Sequence, residues 1–135
     1  MAVSVGIVPV SHSAALASGA ADLARSVGGG SVLIATAGGT ADGGLGTSAD
    51  AVSVAIRAAS AGGGGVVVLP DLGSSVLTVR ALLAEGDLDD VPGGIEVADA
   101  PFVEGAVAAV VTAAAGGSLK TVAEAAQEAR HARKL

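Results

Sequence analysis

Residues 6–16 read GIVPVSHSAAL, an apolar run that reaches His12 between two serines just before a helical pattern begins. A stretch of this kind, followed by small helix formers, marks a strand handing over to a helix. The chain has only two histidines, and this one stands at the carboxyl end of the first strand. In open α/β domains, helix N-termini and loops converge at the carboxyl ends of parallel strands, and ligands collect there. His12 is therefore the first candidate for chemistry, as acid, base, nucleophile or ligand, provided other strand ends supply partners.

At 135 residues the chain is close to the commonest size of one domain, and folding at that length buries roughly two thirds of the unfolded surface. No long linker or solenoid repeat divides it, so residues 1–135 read as a single domain. Half of the composition is apolar, built from Ala, Val, Leu and Ile with Phe102 as the sole aromatic residue. The core must therefore come from many small aliphatic contacts. A net charge of −6 with no aromatic platform argues against nucleic-acid binding, which needs basic patches for phosphates and rings for bases. The absence of cysteine removes disulfides, thiolate nucleophiles and zinc–thiolate sites, and suits a reducing cytosol. The N-terminal MAVSVGIVPVSHS lacks the basic n-region of a secretory signal and reads as a buried strand. The longest membrane-like stretch, Gly105 to Gly117, is far shorter than the roughly 20 residues that span a bilayer. A soluble, cytoplasmic protein with no membrane partner is expected.

Taken in order, Val3–Val10 forms the first strand, and Ala14–Val27 follows as a helix with Ala15, Leu16, Ala20, Leu23, Ala24 and Val27 on its inner face, stopped by Gly28–Gly30. Val32–Thr36 reads as the second strand, and AGGTADGGLG (37–46) as a loop with five glycines in ten residues. Thr47 with Asp50 three positions on fits a capping box opening a helix to about Ser60, with Val52, Ile56 and Ala59 inward. The third strand, VVVLP, ends at Pro70 and Asp71, and a helix capped by Ser74 or Ser75 buries Val76, Leu77, Leu82 and Leu83. Ile95–Ala98 makes a fourth strand, APFVEGAVAAVVTAAAGG a helix closed by Gly116 and Gly117, and Ser118–Ala132 a last helix with a basic tail. The order βαβαβαβαα implies an α/β, doubly wound, mainly parallel sheet of about four strands, in the flavodoxin-like order 2-1-3-4, with helices on both faces.

In that order the first and third strands are neighbours and their crossovers leave in opposite directions, opening a crevice where His12 and Asp71 face each other. A carboxylate on one imidazole nitrogen fixes the tautomer and leaves the other nitrogen's lone pair free. Thr47, Ser74 and Ser75 with the helix starts would make an anion site. This combination suits phosphoryl capture on histidine, and no Walker lysine or arginine near these strand ends would grip a nucleotide.

The segments VPVSHSAALASG, LGTSADAV, LPDLGSSVL and APFVEGAVAA, in that order and spacing, resemble the phosphotransferase-subunit (DhaM) family of dihydroxyacetone kinases. These are mannose-type enzyme IIA domains of the phosphoenolpyruvate-dependent phosphotransferase system. The resemblance covers nearly the whole chain. It implies a flavodoxin-like phosphocarrier that dimerises, in which His12 takes a phosphoryl group from phosphorylated HPr and Asp71 holds the imidazole. Ser13, Gly46, Thr47, Gly73, Ser74 and Ser75 would surround the phosphate. The group would pass to ADP on a partner (DhaL-like) kinase subunit, which would also carry the Mg²⁺; no cofactor is expected on this chain. The chain has Arg80 where many relatives carry an acidic residue, and lacks the fused carrier and enzyme I modules of some, so HPr would come from a separate chain.

Other readings stand beside this one. The same chemistry fits a mannose-class IIA domain feeding a sugar permease through a IIB domain, and the same fold fits a regulatory module that transfers nothing. Gly44, Gly46 and Ala49 match a dinucleotide fingerprint, but after the second strand and a long loop instead of the tight turn after the first. His131 in EARHARKL reads as a cation at a helix C-terminus with no catalytic part. Glu104 could cap a helix or line the site.

Overall fold

The computed structural model describes residues 3–135; Met1 and Ala2, at the head of the apolar N-terminal run, lie outside the described residues. Four strands, β1 (Ser4–Ser11), β2 (Ala37–Gly38), β3 (Gly63–Pro70) and β4 (Ile95–Val97), form one sheet in the order β2-β1-β3-β4. All pairings are parallel. The helices among the described residues are α1 (Ala14–Gly28), α2 (Ala49–Ala59), α3 (Gly73–Ala84), α4 (Phe102–Ala114) and α5 (Leu119–Glu128). This is the expected flavodoxin-like arrangement, with the switch point between β1 and β3.

The central strands are apolar on both sides because both faces are covered. Val5 and Ile7 of β1 join Val67 and Leu69 of β3 under α1, α4 and α5. Val8 and Val10 join Val66 and Val68 under α2 and α3. The period of two along each strand thus sorts one apolar run into two cores. None of the described helices is long and apolar enough to cross a membrane.

The structure departs from the sequence reading in five places. The inner face of α1 is Ala17, Ala20, Ala21 and Ala24, while Leu16, Leu23 and Val27 are exposed. Both sets have helical spacing, and periodicity cannot choose between them. Close approach to α4 decides it: a Cβ on Gly28 would stand 2.6 Å from Val110 Cγ1, leaving room only for small residues on α1. Similarly, α3 buries Ser75, Val79 and Leu82, and Leu77 is exposed.

The second strand is displaced. Of the expected Val32–Thr36 only Ile34 bridges to the sheet, opposite Ile7, and the ladder becomes regular at Ala37–Gly38. Gly38 makes this possible, because a Cβ there would lie 2.6 Å from Ala14 Cα and 2.8 Å from the Ser13 carbonyl. The last helix ends early at Glu128 and tightens into a 3₁₀ turn over Ala129–His131. The helix caps also differ, with consequences for the site.

Candidate functional site

The site lies at the carboxyl ends of β1 and β3. Gly6–Val10 of β1 runs in register with Val66–Pro70 of β3, which brings His12 beside Asp71, each just past its strand. The Asp71 amide donates to the Val10 carbonyl at 2.9 Å, extending the ladder to the site. His12 Nδ1 stands 2.9 Å from Asp71 Oδ1, with the two side chains 23% and 8% exposed. Facing a carboxylate, Nδ1 carries the proton, and the Nε2 lone pair is left to accept from the Ser74 hydroxyl at the start of α3.

Asp71 collects donors from three elements. Its Oδ2 accepts from Ser11 Oγ at 2.8 Å and from the His12 amide at 3.1 Å. Its Oδ1 accepts from Ser75 Oγ at 2.8 Å and from the Leu72 amide at 2.7 Å, besides His12. Partial burial works against the charged form, but the hydrogen bonds from Ser75, Ser11, His12 and Leu72 outweigh it and hold the carboxyl well below the usual carboxylate range. Asp71 is thus a fixed anion, and the imidazole orients against it.

Each residue expected at the site finds a definite place. Thr47 does not cap α2; Ser48 does, accepting from the Ala51 amide at 3.2 Å. Thr47 Oγ1 instead meets Ser75 Oγ at 3.1 Å. Neither Ser74 nor Ser75 caps α3, whose N-cap position is Leu72 with no side-chain bond. The Asp71 carboxylate occupies the Leu72 amide, and this releases both hydroxyls toward the histidine and its partner. Ser75 is fully buried. Ser13 caps α1, accepting from the Leu16 amide at 3.2 Å. Gly46, at φ 144°, donates its amide to the His12 carbonyl at 2.9 Å, so the glycine loop anchors the backbone of the histidine. Gly73 opens α3, where the first amides of a helix lack intrahelical partners and, with the helix dipole, favour an anion.

The sequence reading overlooked Ser11. It is 1% exposed, donates to Asp71, and accepts from the Ser13 amide at 3.0 Å. A serine closing an otherwise apolar buried strand was the available signal, since a buried hydroxyl needs a partner. Glu104 does neither of the two things considered for it: it stands in the first turn of α4 and pairs with Lys134 at 3.0 Å. His131 is exposed, 3.9 Å from Glu128. Contrary to the expectation of no arginine near these strand ends, Arg80 of α3 lines with Asp99 a cleft of about 290 Å³ that also reaches Asp71.

An imidazole with Nδ1 backed by a fixed carboxylate and Nε2 facing a helix N-terminus has the geometry that nucleophilic chemistry on an anionic group requires. Residues 6–123 match the family model described as PTS system fructose IIA component, EIIA-man. The chain is 38% identical over 135 residues to the PEP-dependent dihydroxyacetone kinase phosphoryl donor subunit DhaM of Pantoea ananatis, covering 96% of this chain and 28% of that protein. With the DhaM of Klebsiella michiganensis the identity is 35%, over 97% of this chain and 28% of the relative. The chain therefore spans little more than a quarter of the length of these relatives. A crystal structure of a protein of unknown function, EF1359, superimposes with a TM-score of 0.79 at 29% identity, covering 93% of this chain and 94% of that one.

Proposed function

Because this chain belongs to the EIIA-man family of phosphotransferase-system IIA components, we propose that it is the phosphocarrier of a phosphoenolpyruvate-dependent dihydroxyacetone kinase, with His12 as the residue that carries the phosphoryl group. One observation carries the reading: Nδ1 of His12 is held by Asp71 while Nε2 opens onto the start of α3. The Nε2 lone pair attacks the phosphorus of a phosphorylated donor, HPr. The new N–P bond forms as the donor's own P–N bond breaks and its electron pair returns to the donor nitrogen. The Nδ1 proton stays between His12 and Asp71 throughout, and the resulting imidazolium character is balanced by the carboxylate. The phosphoryl oxygens face the α3 amides and the Ser74 hydroxyl.

In the second half-reaction the group passes to ADP on the partner kinase subunit, and His12 returns to its neutral form. The resemblance of two DhaM proteins along nearly the whole chain supports this acceptor. The reading places one IIA domain in the cytoplasm, acting as a homodimer. The family description, a fructose component, favours a second acceptor, a sugar-specific IIB domain, with unchanged chemistry at His12.

The test is labelling with phosphoenolpyruvate, enzyme I and HPr. One acid-labile, base-stable phosphate per chain is expected, absent in His12→Ala; label in that variant refutes the carrier role. Dihydroxyacetone phosphate formed only after addition of the two other kinase subunits distinguishes the kinase acceptor from a IIB domain.

A further inference from the structure

We propose that Ser11 and Ser75 are positioning residues: their hydroxyls clamp Asp71 from its two oxygens, so that Oδ1 faces His12 Nδ1 and the imidazole keeps its lone pair on Nε2. This rests on the reading of His12 as a phosphoryl carrier, and it moves Ser75 from the phosphate pocket into the support behind the histidine.

The terminal torsion of an aspartate is broad; the Leu72 amide holds Oδ1 and the His12 amide Oδ2, and the two serine hydroxyls add a side-chain donor to each oxygen. Here Ser11 Oγ fixes Oδ2 at 2.8 Å and Ser75 Oγ fixes Oδ1 at 2.8 Å. Both serines are buried, Ser11 1% exposed and Ser75 0%, and each hydroxyl has one proton to give. Ser75 gives its proton to Asp71, so its contact at 3.1 Å with Thr47 Oγ1 is one that it accepts. Its oxygen also stands 3.2 Å from His12 Nδ1, while Nε2 meets Ser74. Committed in this way, Ser75 has no proton left for a phosphoryl oxygen. Ser11 adds a mechanical link, because it accepts from the Ser13 amide at 3.0 Å and so ties the entry of α1 to the same carboxylate. The clamp therefore joins β1, α1, α3 and the segment before α2 at a single anion.

Asp71 is the only ionisable side chain hydrogen-bonded to His12 among the described residues. Arg80 from α3 and Asp99 from the segment after β4 line the cleft shared with Asp71. Asp50 lies in the first turn of α2 and Asp42 in the glycine loop, bound to Thr40 and Gly44. A change of tautomer on removing an uncharged hydroxyl is thus traceable to Asp71.

The experiment uses the full chain labelled with ¹⁵N in histidine, and reads the two ring nitrogens of His12 across the imidazole titration. In the parent, the tautomer protonated at Nδ1 dominates. In Ser11→Ala and Ser75→Ala its ratio to the other tautomer falls severalfold, and in the double variant further. Ser11→Thr, which keeps the hydroxyl on a strand where β-branching is tolerated, restores the parent ratio. The same variants take label from phospho-HPr with a reduced maximal rate at unchanged KM for the donor. Parent-like tautomer ratios in both alanine variants, with native amide spectra, overturn the clamp. If the parent takes no label at all, the carrier reading fails instead, and the tautomer measurement still reports on the clamp.

Discussion

His12 Nδ1 lies 2.9 Å from Asp71 Oδ1 although 59 residues separate them along the chain. The contact exists because β1 and β3 are neighbours in register, and each delivers its polar residue one or two positions beyond its last apolar one. The pair stands at the seam where crossovers diverge, which is the one edge of such a sheet left open to a ligand.

Asp71→Asn keeps the shape of the carboxylate but offers an amide group in place of one acceptor. The enforced tautomer is lost, and single-turnover phosphoryl uptake slows by on the order of 10²- to 10⁴-fold, the range commanded by a positioned imidazole and its orienting partner. Rapid-quench labelling of parent and variant checks this. Equal rates would remove Asp71 from the mechanism.

Acid stability follows from the same residue. The folded-state pKa of Asp71 is lowered, and the unfolded value is about 3.9. The unfolded chain therefore binds the proton more readily, and stability from Asp71 is fully present above about pH 4 and is lost as the pH falls toward the lowered folded value. Thermal midpoints of the parent and Asp71→Asn should differ most at neutral pH and converge below about pH 4. A gap that widens on acidification would contradict the assignment.

The reassigned cap of α2 predicts opposite behaviour of adjacent residues. Ser48→Ala removes the hydroxyl that accepts from the Ala51 amide, lowers stability by about 1 kcal/mol, and speeds hydrogen exchange at that amide. Thr47→Ala leaves the Ala51 amide protected and removes the contact to Ser75 instead. Exchange rates followed by NMR separate the two cases.

Gly6 is where β1 bends past the end of α2. A Cβ there would meet the Ala59 carbonyl oxygen at 2.0 Å, a backbone atom that cannot swing aside. Gly6→Ala should cost on the order of 1–3 kcal/mol, as overpacking does, measured as a lowered denaturant midpoint with an unchanged slope. Neutral stability would mean that the β1–α2 contact is looser than it stands here.

Much of the architecture was legible because it depends on local pattern. Val66–Leu69 and Ile7–Val10 read as strands buried on both faces, and the alternation of apolar runs with small-residue helices implied the parallel order. Misreadings fell where one pattern admits two solutions. Leu16 and Ala17 have equal claims to the inner face of α1 by spacing, and Thr47 and Ser48 equal claims to the α2 cap by chemistry. In each case a distant neighbour chose, α4 for the first and Ser75 for the second.

By itself the sequence determined the succession of strands and helices, the rarity of His12 and its position at a strand end, because hydrophobic periodicity and residue type act over a few neighbouring positions. Only the tertiary structure decided where hydroxyl protons go. Ser11, Ser13, Ser48, Ser74 and Ser75 are chemically alike along the chain, and all can cap a helix. Ser13 and Ser48 cap α1 and α2, Ser74 meets Nε2, and Ser11 and Ser75 hold Asp71. A hydroxyl has one proton to donate and lone pairs with which to accept, and its choice among partners is made by which groups the fold has already brought within hydrogen-bond reach of it.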